Sequence, residues 1–261
     1  MKTAGQNSPI PLKIPTGAQS VERAVALLKI VAKYNEQGAR LFDIARDSGL
    51  HSSTAHRILS IFVAEGIITH DRVSKQYHLG IELYRLGMAA HQYLIRDRFR
   101  SAIEKIERET EDTVFLLIRS GNDALCIDRI EGTYPIRTIP IEIGSRRPLG
   151  IGVASLSLIA FLPQPEFEAV LSANASRYPQ YKNLSVDDIR QLAMESLEKG
   201  HVVSLGLFHE DITSIGIPVF DSHSHVVASI AVSAIFHRMT PERRNYIYQT
   251  VKKILKIEGY R

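Results

Sequence analysis

Apolar side chains recur every three or four positions in the first third of the chain, a spacing typical of amphipathic helices. The pattern predicts three helices, over residues 20–37, 41–48 and 52–65. Ser20 is the expected capping residue of the first helix, and Gly38 is expected to end it. The positions expected to form the apolar stripes of the second and third helices are Phe42, Ile44, Ala45, Ala55, Ile58, Leu59, Phe62 and Val63.

A tight corner and a hairpin combine these helices into one unit. Gly49 lies between the second and third helices, where a corner would strain a residue with a Cβ, and Leu50 is expected to fill the gap beside it. Short alternating segments at 67–70 and 76–79 predict two strands joined by the polar turn 71–75. Two helices around a glycine corner, with a hairpin behind them, predict a winged helix-turn-helix.

The rest of the chain alternates between helical and extended patterns. Residues 81–95 are interpreted as a linker helix between the winged helix-turn-helix, residues 20–80, and an α+β domain, residues 96–261. The polar, proline-containing residues 1–19 predict a flexible tail. The α+β domain is expected to be a mixed or antiparallel sheet flanked by helices. Its predicted helices are 99–110, 150–162, 164–173, 186–199 and 240–257, and its predicted strands are 113–119, 124–129, 136–141, 201–205, 213–220 and 226–234.

Charge is distributed unevenly between these two parts. Residues 1–80 contain 10 Lys and Arg against 6 Asp and Glu, whereas residues 81–261 contain 22 of each kind. The excess positive charge therefore lies entirely in the part that holds the predicted winged helix-turn-helix. This asymmetry is expected of a chain whose first part faces a polyanion and whose second part does not.

The cysteine content and the absence of long apolar runs indicate a cellular location. Cys126 is the one cysteine, so no internal disulfide can form, and it is expected to be a small buried hydrophobic residue. The first 19 residues lack the apolar segment of a secretory signal. No apolar run approaches the roughly 20 residues of a membrane span. We therefore expect a cytoplasmic protein without a membrane partner.

The third helix has a polar face opposite its apolar stripe. Ser53, His56, Arg57 and Ser60 recur at helical spacing, and this face contains no carboxylate. Solvated faces favour better helix formers such as Glu, Lys and Gln, whereas short hydroxyls and an arginine suit base edges and phosphates. A polar surface on a three-helix packing motif is the alternative. The residues predicted to contact double-stranded DNA, those of the hairpin tip included, are Ser52, Ser53, Thr54, His56, Arg57, Ser60, Arg72 and Lys75.

Several stretches carry a resemblance to a known family. SVERAVALLKIVA, LFDIARDSGLHSSTAHRILSIFVAEGII and YHLGIELYRLGMAA resemble the winged helix-turn-helix and linker helix of IclR-type (isocitrate-lyase-regulator) bacterial transcription factors. IGSRRPLGIGVASLSLIAFLP and SIGIPVFDSHSHVVASIAVSAIFHRMT resemble the glycine-rich loop and the final strand pair of that family. The resemblance implies a dimeric or tetrameric DNA-binding regulator whose GAF-like C-terminal domain binds a small effector. The chain departs from the family at His51-Ser52, where Pro-Lys is common, and at Gly150-Ile151-Gly152, where His-Ala-Thr is common.

An effector site is expected in the α+β domain. Gly150 and Gly152 would let the backbone approach a ligand, and N–H groups at the start of the following helix suit an anion. The resemblance places further contacts on the late strands. Hydroxyls and aliphatic walls fit a small organic acid, aromatic acids included, although strand serines commonly bond to backbone or water instead. The predicted effector-binding residues are Val153, Ala154, Ser155, Ser204, Ile212, Ser214, Ala231 and Ser233.

The sequence contains no catalytic constellation, metal-ligand spacing or cofactor motif, so we expect no catalysis, no bound metal and no cofactor. His209, His223 and His225 are interpreted as solvated residues rather than metal ligands. The leading hypothesis is a ligand-responsive transcription factor that binds an operator as a homodimer or homotetramer. The alternative from another class is a small-acid-binding enzyme tethered to a basic helical module, and a helical protein–protein adaptor is a third.

Overall fold

The computed structural model describes residues 18–89, 94–138, 141–205 and 211–260. These residues divide into two compact units, one that ends before Leu94 and one that begins there. The first unit has one hydrophobic core, and the second has one on each face of its sheet. The predicted flexible tail lies outside the described residues except for its last two positions.

The first unit packs three helices against a small antiparallel sheet. In this sheet β3 lies between β1 and β2, and Asp71 pairs with Gln76 across the hairpin turn. The helix–corner–helix with a hairpin behind it is the predicted winged helix-turn-helix, and a short helix follows. The elements are α1 (Gln19–Lys33), β1 (Ala39–Arg40), α2 (Leu41–Ser48), α3 (Ser52–Ala64), β2 (Ile68–Asp71), β3 (Gln76–Leu79) and α4 (Ile81–Ala89).

The core of this unit fixes the angle between α2 and α3. Leu27 of α1, Ile44 of α2 and Leu59 of α3 are fully buried and belong to one cluster. At the corner between α2 and α3, Gly49 adopts the left-handed conformation with φ 67°, as expected for a residue without a Cβ. Leu50 follows it and packs, partly buried, against the same cluster.

The ends of α1 differ from the sequence prediction. Ser20 lies within the helix rather than at its cap, and the capping position before Gln19 makes no side-chain hydrogen bond. The helix ends at Lys33, well before Gly38. It ends early because Asn35 turns toward the hairpin, where its side-chain Oδ1 accepts a hydrogen bond from the backbone N–H of Leu79 at 2.7 Å.

Two apolar residues expected in the core are exposed instead. Phe42 is 71% exposed, because it lies about 200° around α2 from the buried Ile44. Its ring lies 6.0 Å from the guanidinium of Arg46. Val63, in the last turn of α3, is 37% exposed.

The second unit is a six-stranded antiparallel sheet with helices on both faces, in agreement with the predicted α+β fold. The strand order is β6–β5–β4–β9–β8–β7. Both edge strands are short, with three residues in β6 and four in β7. The elements are α5 (Leu94–Thr110), β4 (Thr113–Ser120), β5 (Asp123–Ile130), β6 (Arg146–Pro148), α6 (Val153–Ser157), α7 (Gln164–Asn174), α8 (Val186–Lys199), β7 (Val202–Leu205), β8 (Ile212–Phe220), β9 (Val226–Ile235) and α9 (Pro241–Ile257).

The sheet is buried on both faces, and β4 shows how its sequence achieves this. Successive side chains of a strand point to opposite faces. Val114 and Leu116 pack with residues of α5 and α9, whereas Phe115 and Leu117 pack with residues of α6, α7 and α8. The uninterrupted apolar run of β4 therefore serves two separate cores.

Three elements of the second unit differ from the prediction. Residues 136–138 of the predicted strand 136–141 form no strand, and Ile136 is 58% exposed. The outer strand is instead β6, which the sequence pattern did not reveal because it is only three residues long. The predicted helix 150–162 is confined to the five residues of α6 and followed by turns, while α5 begins at Leu94 rather than at residue 99.

Two buried carboxylates tie helices and turns to this sheet. The Asp112 side chain is 2% exposed and accepts hydrogen bonds from Arg238 Nε and from an Nη of Arg243, both at 2.8 Å. The Asp128 side chain is 1% exposed and accepts from Arg100 Nη1 at 3.1 Å. Because a buried carboxylate needs compensating charge, these pairs fix the positions of α5 and α9.

Candidate DNA-contacting surface and ligand cavity

The outer face of α3 carries the residues that the sequence predicted for DNA contact. Ser53, His56 and Arg57 are exposed, whereas Ala55 and Leu59 on the opposite side are fully buried. The helix contains no Asp or Glu from its first residue to its last. A polyanion can therefore approach this face without meeting a carboxylate on the helix.

The remaining predicted residues of α3 are placed less uniformly. Ser52 is exposed in the first turn, and Thr54 is partly buried. Ser60 is exposed, but its hydroxyl donates to the backbone carbonyl of His56 at 2.8 Å. The Ser60 hydroxyl is thus engaged within its own helix, as is common for serines in helices. His51, at the N-cap position, makes no side-chain hydrogen bond to the first turn.

The turn between β2 and β3 forms the tip of the wing. Asp71 accepts hydrogen bonds from the Ser74 hydroxyl at 2.6 Å and from the Val73 N–H at 2.8 Å, and these bonds lower the pKa of Asp71. Arg72 and Lys75 are exposed, and Lys75 adopts a positive φ of 60°. The acidic side chain is thus bound within the turn, and two basic side chains are exposed beside it.

Two exposed residues near the wing were not identified from the sequence. Arg40 pairs with Gln76 across β1 and β3, so its exposed guanidinium lies beside the wing. Only the short β1 brings it there, and a two-residue strand gives no periodic signal. Val73 is 92% exposed at the tip.

The second unit contains a cavity of about 70 Å³ between its sheet and the loop that leads into α6. All eight residues predicted for effector binding line this cavity: Val153, Ala154, Ser155, Ser204, Ile212, Ser214, Ala231 and Ser233. Gly152, where the backbone was expected to approach a ligand, lines it as well. Seven lining residues were not predicted: Phe115, Leu117, Ala124, Ile141, Ser145, Arg147 and Ile151. A cavity of this size accommodates only a small molecule.

The serines on the late strands form a row across the sheet. Ser204 pairs with Ser214 between β7 and β8, and Ser214 pairs with Ser233 between β8 and β9. Directly paired residues point to the same face of a sheet, so the three hydroxyls share one side. The Oγ atoms of Ser214 and Ser233 are 2.7 Å apart and hydrogen-bonded.

The loop before α6 is held in place by side-chain hydroxyls. Ser155 Oγ donates to the carbonyl of Pro148 and accepts from the N–H of Gly150, both at 3.0 Å. Tyr178 donates to the carbonyl of Leu149 at 2.8 Å. The Ser155 hydroxyl therefore secures the loop, and one acceptor position of its oxygen is left for a ligand. The anion site expected at the start of a long helix is also weakened, because α6 is a single short turn with a small dipole.

A glycine brings α6 close to the sheet. A Cβ at Gly216 on β8 would lie 2.4 Å from the carbonyl oxygen of Val153 and 2.8 Å from Ser157 Oγ. Both distances are shorter than van der Waals contact, so only glycine allows α6 to lie here. Because Val153 lines the cavity, Gly216 sets the distance between its two walls.

Arg147 is the charged residue among the described residues that line the cavity. It lies on β6 and pairs with Ala124 of β5, another lining residue. Burial lowers the pKa of Arg147, although a guanidinium remains protonated at neutral pH. The sequence prediction missed this residue, because a three-residue strand gives no signal for the direction of its side chains.

Cys126 has the buried position expected from the sequence. It is 1% exposed, and burial raises its pKa to about 12. Since the thiolate is the reactive form, we expect Cys126 in the folded protein to resist iodoacetamide at pH 8 and to react promptly after unfolding in guanidinium. Mass spectrometry of the alkylated protein checks this. Equal labelling rates in the two states would contradict the buried position.

Among the described residues, no three His, Cys, Asp or Glu side chains are grouped closely enough to hold a metal ion. The backbone N–H groups of His223 and His225 donate to Asp221 Oδ1 in the turn between β8 and β9, at 2.8 and 2.9 Å. His209 lies outside the described residues. None of the described helices combines the length and the apolar character needed to cross a bilayer.

The two units define a class of protein: a winged helix-turn-helix joined to an α+β domain with a small cavity. Residues 20–72 match the family model described as the IclR helix-turn-helix domain. Residues 87–256, more than half of the chain, match the model described as the bacterial transcriptional regulator IclR C-terminal domain. The chain belongs to the IclR family of bacterial transcriptional regulators.

Individual relatives agree with this assignment. The HTH-type transcriptional regulator KipR of Bacillus subtilis is 28% identical over 238 residues, which cover 90% of this chain and 93% of KipR. XynR of Escherichia coli is 26% identical over 225 residues, 85% of this chain and 88% of XynR. A crystal structure of an IclR homologue complexed with 4-hydroxybenzoate, from Microbacterium hydrocarbonoxydans, has a TM-score of 0.76 at 21% identity. The match covers 92% of this chain and 98% of the homologue's chain, and it supports the fold described above.

Proposed function

We propose that this protein is a ligand-responsive transcription factor that binds an operator through the exposed face of α3. The observation that carries the proposal is the composition of that face. Ser53, His56 and Arg57 are exposed on a helix that has no acidic residue. A helix that enters the major groove needs short polar side chains for base edges and an arginine for guanine or phosphate.

The wing supplies contacts to the DNA backbone. Arg72 and Lys75 at its tip, and Arg40 beside it, are exposed cations that suit phosphates on either side of the groove. The Asp71 carboxylate is hydrogen-bonded within the turn and leaves these cations to face the duplex. These contacts strengthen binding without selecting a sequence, whereas α3 selects it.

The protein acts as a homodimer or homotetramer. The first unit exposes large apolar side chains on α1 and α4, and burial of such residues against a second copy is favourable. These exposed residues are Val21, Val25, Ile81, Tyr84 and Leu86. Two copies would contact half-sites of a pseudo-palindrome whose centres are separated by about one helical turn or a multiple of it.

A small organic acid occupies the cavity and changes the affinity of the protein for DNA. The protein uses no cofactor and does not convert the acid, and it acts in the cytoplasm. The hydroxyls of Ser214 and Ser233, the cation of Arg147 and the apolar walls support this class of effector. The IclR homologue complexed with 4-hydroxybenzoate shows an acid bound to the same fold. A coupling free energy of about 1–3 kcal/mol between the two sites corresponds to a change in operator affinity of about 5–150-fold.

The Arg57→Ala variant tests the assignment of α3. Loss of one base or phosphate contact costs about 1–3 kcal/mol, so operator affinity should fall by about 5–150-fold. The operator would be selected by the purified protein from a random duplex pool and measured by fluorescence anisotropy at fixed salt. Affinity for any ligand of the cavity should be unchanged.

Arg46→Ala is the matched control. It removes the same charge from the same unit, but Arg46 lies on α2, where it forms ion pairs with Asp43 and Asp47. We expect its operator affinity to stay within about threefold of the unmodified protein, since exposed charges away from the contact act through weak, screened fields. Equal losses in Arg46→Ala and Arg57→Ala, or no loss in either, would rule out α3 as the recognition helix.

A further inference from the structure

The cavity is polar at two separate places along the sheet. Arg147 lies on the edge strand β6, and the hydrogen-bonded hydroxyls of Ser214 and Ser233 lie on β8 and β9. Strands β5 and β4 lie between them, and the lining residues there, Ala124 and Leu117, are apolar. The lining therefore changes from a cation through an apolar middle to hydroxyls.

We propose that the cavity binds a two-ended hydroxy acid, with its carboxylate on Arg147 and its hydroxyl on Ser214 and Ser233. The two groups of this ligand are separated by an apolar spacer of about one ring. This inference rests on the proposed function, because it assigns the chemistry and the orientation of the effector in the same cavity.

The Arg147 end suits a carboxylate. A guanidinium presents five N–H donors in a planar fork that matches the two carboxylate oxygens, so it can hold a ligand and keep a protein contact. Burial has removed water from Arg147 and lowers its pKa. A partly desolvated cation attracts an anion more strongly than an exposed one does.

The serine end suits a hydroxyl. Each serine hydroxyl has one donor and two acceptor positions, so the Ser214–Ser233 pair can still exchange hydrogen bonds with a third hydroxyl. None of the described lining residues on β8 or β9 carries a positive charge. A neutral hydroxyl therefore fits this end better than a second carboxylate, which would be desolvated without compensation.

The order of strands sets the separation of the two groups. Three strand spacings separate β6 from β9, about 14 Å between their backbones. Arg147 on β6 lines one end of the cavity, and the apolar residues Leu117 and Ala124 on the strands in between line its middle. A hydroxy acid with both groups on adjacent carbons cannot reach both ends, whereas a para-substituted ring can.

The first experiment is isothermal titration calorimetry of the full chain with four probes. These are 4-hydroxybenzoate, its uncharged analogue 4-hydroxybenzamide, benzoate, which lacks the hydroxyl, and glycolate, in which acid and hydroxyl are adjacent. We expect 4-hydroxybenzoate to bind about tenfold or more tightly than the amide or benzoate, as for loss of one charged or one buried hydrogen bond. We expect no measurable heat with glycolate.

Variants assign each end. Arg147→Met should remove the preference for 4-hydroxybenzoate over its amide and keep the preference for a hydroxyl. Ser214→Ala should remove the preference for 4-hydroxybenzoate over benzoate and keep the preference for the acid over its amide. Arg147→Lys, which keeps the charge and loses the fork, should retain part of the preference for the acid. Arg146→Met is the control, because Arg146 is exposed on the same strand and donates to Ser120.

The outcomes separate this inference from the proposed function. No binding of 4-hydroxybenzoate, or an unchanged preference for the acid in folded Arg147→Met or Arg147→Lys, would overturn the two-ended assignment. If glycolate or benzoate instead binds tightest and releases the protein from its operator, the regulator proposal stands and this inference fails. If Arg57→Ala binds the operator as well as the unmodified chain does, the α3 assignment fails whatever the cavity binds.

Discussion

Replacement of Asp112 by Asn is expected to lower the free energy of unfolding by about 3 kcal/mol. The Asp112 side chain is 2% exposed and accepts from Arg238 and Arg243, whose side chains are 16% and 26% exposed. The amide keeps the shape but leaves two partly buried guanidinium groups without their shared carboxylate. Breaking a buried ion pair costs about 3–5 kcal/mol, and the low end of this range applies because both arginine side chains are partly exposed to solvent. Urea unfolding at pH 7, followed by circular dichroism at fixed protein concentration, measures the change.

Glu111→Gln is a control within the same network. Glu111 is adjacent in sequence and accepts from Arg238 at 2.9 Å, but its side chain is 59% exposed. An exposed ion pair contributes at most about 1 kcal/mol, so this variant should unfold close to the unmodified protein. If both variants lose the same stability, burial of Asp112 does not account for the strength of its ion pairs.

Replacement of Gly216 by Ala is expected to destabilise the second unit and to weaken ligand binding together. The added Cβ would lie 2.4 Å from the carbonyl oxygen of Val153, and backbone atoms cannot move aside as a side chain does. Forcing α6 from the sheet costs about 1–3 kcal/mol, as for other overpacked sites. Because α6 supplies Val153 and Ala154 to the cavity, ligand affinity should fall as well. Thermal unfolding with and without ligand measures both effects.

Gly87→Ala makes the same chemical change where there is space for it. An ideal Cβ at Gly87 meets nothing within 4 Å among the described atoms, and the residue lies in α4. Alanine is the better helix former by up to about 1 kcal/mol, so this variant should be at least as stable as the unmodified protein. A Gly216→Ala protein that is equally stable and binds ligand normally would show that α6 does not depend on this close approach.

The sequence predicts those elements whose cause is local. The bounds of α3 and the corner at Gly49 follow from apolar spacing and from one glycine, and the structure reproduces them within a residue. The elements it misses depend on distant partners. The strand β6 exists only through pairing with β5, and α1 ends early because Asn35 bonds to the hairpin some forty residues later.

The same distinction applies to the cavity. The family resemblance assigned the serines of the late strands to the effector site, and the register of β7, β8 and β9 brings their hydroxyls to one side of the sheet. Arg147 could not be predicted, because its direction depends on the register between β5 and β6. The sequence prediction assigned Ser155 to the ligand, and it could not show that this hydroxyl also holds the loop at Pro148 and Gly150.

The short edge strand β6 limits how copies of this chain can associate. An edge exposes unpaired backbone groups that can recruit a strand from another molecule. β6 offers only three residues, two of them arginines, and its third, Pro148, has no N–H to donate. Extension of the sheet into a second copy at this edge is therefore unfavourable. We expect any self-association of the second unit at β6 to use side chains instead of strand addition.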